Sequence, residues 1–245
     1  SVTITATDNG DGTISDPRTG LMWEKKVGRG GGTSSDPHDA DLDYSWAGEC
    51  SLTRTLCQPD PAAATLCAQQ SDGVGCSQCA EGAGTCNVRG VATVWAWLSD
   101  LNSSSFGGHG DWRIPTMTEL FTIVDFSAPD PPTFNVFNRP GCSPSCIDLG
   151  NLDCSCTIPE PYWSSTTYAR IPTVARTIFF ESQFLDSLDS KSFAAAHVRA
   201  VRGDAGPSPV PRFIDNGDGT ISDQQTGLMW EKKLRASPEV NVHAV

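Results

Sequence analysis

The sequence predicts an α+β fold with long, disulfide-stapled loops. A turn-rich β-hairpin opens the chain, two helical stretches occupy its middle, and β-prone segments return before residue 203. Ten cysteines in two even groups predict the staples.

Residues 8–26 read DNGDGTISDPRTGLMWEKK and residues 215–233 read DNGDGTISDQQTGLMWEKK. Of 19 positions 17 agree, and only Pro17 and Arg18 give way to Gln224 and Gln225. Asn-Gly and Asp-Gly supply residues that tolerate positive φ, and Thr-Ile-Ser is extended. Asp-x-x-Thr-Gly makes a second turn, and Leu-Met-Trp is an apolar run ending in Glu-Lys-Lys. The stretch reads as a β-hairpin with one wet and one buried face. Its acidic turn fails the EF-hand spacing. Aligning Asp11 and Gly12 to the fifth and sixth loop positions puts Thr7 first and Arg18 twelfth, where a bidentate Glu is needed, and the second copy holds Ile214 and Gln225 there. A calcium site of another geometry has only Asp8, Asp11 and Asp16 to draw on.

Residues 1–7, SVTITAT, alternate β-branched and small residues and should lead into the hairpin as a strand. Residues 27–88 are rich in Gly, Ser, Ala and Asp and hold Cys50, Cys57, Cys67, Cys76, Cys79 and Cys86, which suits an insertion held by its own bridges. Within it, Gln58-Pro59-Asp60 matches a tripeptide of some calcium-dependent sugar-binding domains, a match short enough to arise by chance. Residues 89–101 carry Val91, Val94, Trp95, Leu98 and Leu101 at helical spacing, and a Gly/Ser loop over 103–110 ends that helix. Trp112 and Ile114 then lie on an extended piece and Pro115 breaks it. Thr116 and Glu119 form a T-x-x-E capping box, and Leu120, Ile123 and Val124 make the buried stripe of a second helix.

Residues 127–160 form a Pro-rich loop with Cys142, Cys146, Cys154 and Cys156. PYWSSTTYA from Pro161 and VARTIFFES from Val174 are extended, residues 185–191 turn, and AAHVRAVRG closes at Gly203. On that last strand His197 and Arg199 share a solvated or salt-bridged face, opposite Val198 and Ala200. Residues 204–211, DAGPSPVP, form a stiff linker. It divides a complete domain, residues 1–203, from residues 212–245, which carry the repeated hairpin.

A chain of 245 residues with 19% charged and 38% hydrophobic residues, 23 Gly and 17 Pro suits a loop-rich globular protein rather than a disordered one. The net charge of −12 and scattered Lys and Arg make nucleic acid, anionic membranes and polyanionic glycans poor partners, and no nucleic-acid partner is expected. No apolar run reaches the ~20 residues of a membrane span, so no membrane insertion is expected. Even cysteine groups in Gly/Ser/Pro-rich loops predict bridges within each group and an oxidising compartment, with the pairing open. Zinc at Cys76 and Cys79 with Cys67 and Cys86 lacks the second C-x2-C of a ribbon. The chain begins at Ser1 without Met, which fits a processed, secreted protein.

Catalytic constellations are missing from the sequence. His38, His109, His197 and His243 sit in no H-E-x-x-H, and neither a G-x-S-x-G elbow nor a phosphate loop occurs. Ser164 and Ser165 lack a local His–carboxylate pair, and Glu160 and Glu181 read as solvated acids. A non-enzymatic protein without a cofactor is expected. Trp112, Arg113, Tyr162 and Trp163 are residue types that make sugar and protein contacts and are the candidate ligand-binding residues; the alternative is that the rings pack beneath the loops.

Four segments in order over residues 8–203 resemble the DUF1566 family, also called the Lcl C-terminal domain family: DNGDGTISDPRTGLMWEKK, GDWRIPTMTEL, YWSSTTYA and HVRAVRG. The resemblance implies a C-type-lectin-like fold, with two helices on a twisted, mostly antiparallel sheet and the chain ends meeting in one ladder. It also implies a secreted or surface-attached bacterial protein used for adhesion, often with repeated modules. At least one relative binds sulfated glycosaminoglycans, a ligand class at odds with a charge of −12.

The repeated segment has Leu228-Met229-Trp230 but no helix and no closing strand, so it cannot bury a core alone. The expectation is a structural module that assembles with copies of itself into a filament, donating this segment through Ile214, Ile221, Leu228, Met229 and Trp230. The alternatives are the start of a truncated second domain and an adhesin that binds a neutral glycan or host surface protein through its long loops.

Overall fold

The computed structural model describes residues 6–28, 36–46, 93–181, 186–191, 195–203, 213–223 and 228–233. The expected strand over residues 1–7 falls mostly outside these, as do the six-cysteine group, Gln58-Pro59-Asp60 and the linker. No described helix is long and apolar enough to cross a membrane.

Turn chemistry builds the first hairpin as expected. β1 (Thr7–Asp8), β2 (Thr13–Asp16) and β3 (Leu21–Glu24) are antiparallel, with Asp8 opposite Ile14 and Ile14 opposite Trp23. Side chains close the turn: Gly10 N donates to Asp8 Oδ1 (3.0 Å), and Thr13 donates to Asp11 Oδ1 through its N (3.0 Å) and its hydroxyl (2.6 Å). Gly12 adopts φ 90°, and a Cβ there would stand 3.0 Å from the Phe106 ring and 3.2 Å from Leu149. The turn therefore needs glycine for its backbone and for its close approach to the body.

Beyond β3, Met22 pairs with Arg202 and Trp23 with Val201 of β9 (Val201–Arg202), so both ends of the domain meet in the sheet β1-β2-β3-β9. A second sheet has the order β4 (Asp43–Ser45), β8 (Ala195–His197), β5 (Pro161–Thr167), β6 (Val174–Phe179) and β7 (Ser187–Ser190). Its pairings are antiparallel except β5 with β8. The described chain is thus mostly sheet, with two α-helices.

Three expectations need correction. Within 185–191 a strand forms instead of a plain turn, because Val174 to Thr177 of β6 offer Ser187–Ser190 a ladder. The closing run splits between the two sheets, and its middle is buried on both sides, so His197 and Arg199 lie in the interior rather than on a wet face. The first helix, α1 (Val94–Ser103), begins after the Thr93 cap, whose hydroxyl accepts from Ala96 N at 3.2 Å. Its buried stripe is Val94, Trp97 and Leu101, with Trp95 and Leu98 only partly covered. Residues 89–92 lie outside the described set.

The capping box stands as read: in α2 (Met117–Phe121) Glu119 N donates to the Thr116 hydroxyl and Thr116 N donates to Glu119 Oε2. Leu120, Ile123 and Val124 are buried, the last two in the turn after the helix. They join Ile14, Leu21, Trp23 and Val201 in one core cluster, so hairpin and body share an interior.

Trp23→Ala should cost about 3–5 kcal/mol, since it removes a fully buried indole. Asp11→Asn keeps an oxygen for Thr13 and should cost under about 0.5 kcal/mol. Denaturant unfolding of the two variants checks the ranking; a larger loss for Asp11→Asn would mean that the turn carries the hairpin.

Candidate functional site

Glu24, Lys25 and Lys26 follow Trp23, and all three side chains are buried. Consecutive charges survive in a core only if each is paired. Lys25 Nζ donates to Asp8 Oδ2 (2.5 Å) and to the carbonyls of Leu149 (3.0 Å) and Asn151 (2.7 Å). Lys26 Nζ pairs with Glu24 Oε1 at 2.8 Å, donates to Pro37 O at 3.0 Å and lies 4.7 Å over the Trp97 ring. Glu24 Oε1 also meets His38 Nδ1 at 2.8 Å, while its Oε2 accepts from Ala200 N at 3.0 Å. Arg199 closes the ring, donating to Glu24 O (2.9 Å), Cys156 O (2.7 Å) and Thr157 Oγ1 (3.0 Å).

Burial pushes the Glu24 carboxyl up, but Lys26 and His38 outweigh it and hold the group below its ordinary 4.5. Burial pulls Lys26 down against the opposing pull of Glu24.

The four-cysteine loop forms one wall of this socket. Its cysteines stand in bridge-forming pairs, Cys142 with Cys156 and Cys146 with Cys154. Cys156 N donates to Lys26 O at 2.8 Å, and Gly28 N donates to Cys146 O. The socket is thus assembled from residues 36–39, 146–157 and 199–201 around the exit of the first hairpin.

Among the described residues the second copy folds as a replica of the first. β10 (Phe213–Asp215), β11 (Thr220–Asp223) and β12 (Met229–Glu231) keep the first register, with Asp215 opposite Ile221 and Ile221 opposite Trp230. The turn bonds recur: Gly217 N to Asp215 Oδ1 at 3.1 Å, and Thr220 N and hydroxyl to Asp218 Oδ1 at 3.0 and 2.6 Å. Lys232 pairs with Asp215 as Lys25 does with Asp8. Asp223 is buried as Asp16 is, but burial of the apolar run does not recur. Leu21 and Trp23 are 1% and 0% exposed, whereas Leu228, Met229 and Trp230 are 54%, 66% and 54% exposed, and Ile214 is exposed as well. Ile221 is half-buried. Gly219 repeats φ 90°, yet a Cβ there meets nothing within 4 Å.

The remaining candidates disperse. Trp112, Tyr162 and Trp163 are buried; the Trp112 indole donates to Phe106 O (2.9 Å), the Trp163 indole to Tyr44 O (2.7 Å), and the Tyr162 hydroxyl accepts from Ile158 N (3.0 Å). Arg113 pairs with Glu119 at 2.6 Å and donates to Gly203 O at 2.7 Å. The three rings are scaffold and lend no support to a ligand-facing role. Asp8, Asp11 and Asp16 are spent on Lys25, the turn and Arg18, and no group of three His, Cys, Asp or Glu is arranged to hold a metal among the described residues. His38, to which the sequence assigned no task, belongs to the socket. The signal for it was local: three charges directly after a buried apolar run require counter-groups somewhere in the chain.

The family model for the Lcl C-terminal domain matches residues 12–202. The chain belongs to that family. The Lcl match begins inside the first hairpin and ends on β9, so it contains the socket with β2 and β3 of the resident hairpin and stops before the replica. No curated protein and no solved structure matches the chain.

Glu24→Gln leaves Lys26 buried without its carboxylate and should cost about 3–5 kcal/mol at neutral pH. Because the folded Glu24 titrates below 4.5, its contribution is complete above that pH and is lost as pH falls through the folded value. Thermal unfolding from neutral pH to about pH 3 should show an acid limb in the wild type that is shallower in Glu24→Gln. Equal limbs would place the acid sensitivity elsewhere.

Proposed function

We propose that this chain is a non-enzymatic extracellular structural module that assembles with copies of itself. Residues 213–233 of one molecule dock in the Lcl socket of the next, in the place held by residues 8–26. The observation that carries this reading is the replica: a hairpin with the same internal bonds shows solvent the face that its twin buries. Its charged exit is present too, with Glu231 and Lys233 paired at 2.5 Å in the open. A socket that must neutralise Glu, Lys and Lys in order is selective for a partner ending in that tripeptide, which points to a second copy of this chain as the occupant.

Replacing one hairpin by its near-duplicate conserves most contacts, so small differences and concentration decide the balance. The incoming copy brings Phe213 and Ile214 where the resident has Ala6 and Thr7. Ala6 packs half-buried against the Trp23 cluster, and a larger apolar residue at its position is worth up to about 2 kcal/mol. Donation runs head to tail, which yields a filament wherever the rotation between neighbours does not close a ring. Bridges in the 142–156 loop support an oxidising, extracellular setting, and the two helices on mostly antiparallel sheets are compatible with a C-type-lectin-like fold. A second reading, adhesion to a neutral glycan or host surface protein, draws on Ile147 and Leu152, which are exposed on the stapled loop.

Trp230→Ala and Glu231→Lys alter groups that are exposed in the single chain and should leave its unfolding unchanged. Sedimentation over a concentration series should show growth for the wild type and a single small species for both variants. Growth that is indifferent to both substitutions would contradict the docking.

A further inference from the structure

The exchange proposed above has to be regulated, because an incoming hairpin almost identical to the resident one cannot otherwise be refused. Resting on that reading, we infer that Arg18 is the lock that retains the resident hairpin, and that Gln225 leaves the donated copy without it. Only two of the 19 repeated positions differ, and Arg18/Gln225 is the one that changes charge.

Arg18 ties its turn to the body from both directions. Its Nη2 and Nε meet Asp16 Oδ2 and Oδ1 at 2.9 and 3.1 Å, a bidentate pair on a carboxylate that is 1% exposed. The same Nη2 reaches Thr122 O at 3.5 Å, and the guanidinium lies 5.7 Å over the Phe134 ring. Thr122 follows α2, and Phe134 packs against the Trp23 cluster, so both contacts belong to the socket side rather than to the hairpin. A docked replica would bring Asp223 to the place of Asp16 with an uncharged Gln225 beside it. Such a side chain supplies neither bidentate charge pairing nor a cation over Phe134. Pro17, which fixes its own φ in the resident turn, is matched by a freer Gln224.

Two opposed preferences follow. The 17–18 turn favours the resident, and residues 213–214 favour the donor. Their balance sets the concentration at which molecules link, so position 18 against position 225 decides whether the chain prefers to keep its own hairpin or accept another.

The test uses the full chain with Arg18→Gln, Gln225→Arg and both together, followed by sedimentation. Each single change should lower the half-assembly concentration by about three- to ten-fold, and the double change should lower it most. Gln225→Arg is decisive because it leaves the resident hairpin intact. A merely structural Arg18 would make Arg18→Gln less heat-stable, whereas Gln225→Arg would move nothing. If the wild type assembles through Trp230 but Gln225→Arg does not shift its concentration dependence, the lock is refuted and the docking stands. If the wild type and all three variants remain single molecules at every concentration, the docking falls and the lock with it.

Discussion

The burial of Glu24, Lys25 and Lys26 is the constraint on which the rest of this structure depends. Each charge removed from water costs several kcal/mol unless it finds partners, and three in succession must find them in a few ångströms of chain. Backbone carbonyls at Pro37, Leu149 and Asn151 and the amide of Ala200 supply that compensation, together with His38 and Asp8. Those groups come from segments far apart in sequence, so the first hairpin cannot be seated until the body is nearly complete. The 142–156 bridges fit this role, since they fix the loop that presents Leu149 and Asn151.

One sequence in two settings separates local from tertiary causes. Asn-Gly-Asp-Gly turns, register and even the Lys–Asp pair form identically at both places, because they need nothing beyond a few neighbouring residues. Burial of Leu-Met-Trp and of the charged exit occurs only where the Lcl body surrounds the hairpin. Short hairpins are marginal by themselves, and most of what holds the first copy comes from its socket. The second copy therefore leaves Leu228, Met229 and Trp230 exposed where the first buries its own run.

This division also explains what the sequence made legible. Turns, the Thr116–Glu119 box and the extended character of β5 and β6 rest on short-range chemistry and were readable residue by residue. Trp97 was missed in favour of Trp95, because a helical face is chosen by what packs on it, here Tyr44 and Pro37. The pairing of β7 and the interior placement of Arg199 depend on neighbours far along the chain. Glu-Lys-Lys looked like the polar end of a strand, since no property of the tripeptide itself announces the carbonyls that await it. The replica was legible as a repeat; the socket that gives the repeat a meaning was not.

Hydrogen exchange followed by mass spectrometry tests the central claim directly, because residues 17–18 and 224–225 give the two copies distinguishable peptides. In dilute single chains the account predicts slow amides over 13–24 and fast amides over 220–231. In concentrated, assembled material the 220–231 amides should become slow while protection over 13–24 falls. Fast exchange of 220–231 in assembled material, or full retention of protection over 13–24, would contradict the docking of one molecule's second hairpin in the next molecule's socket.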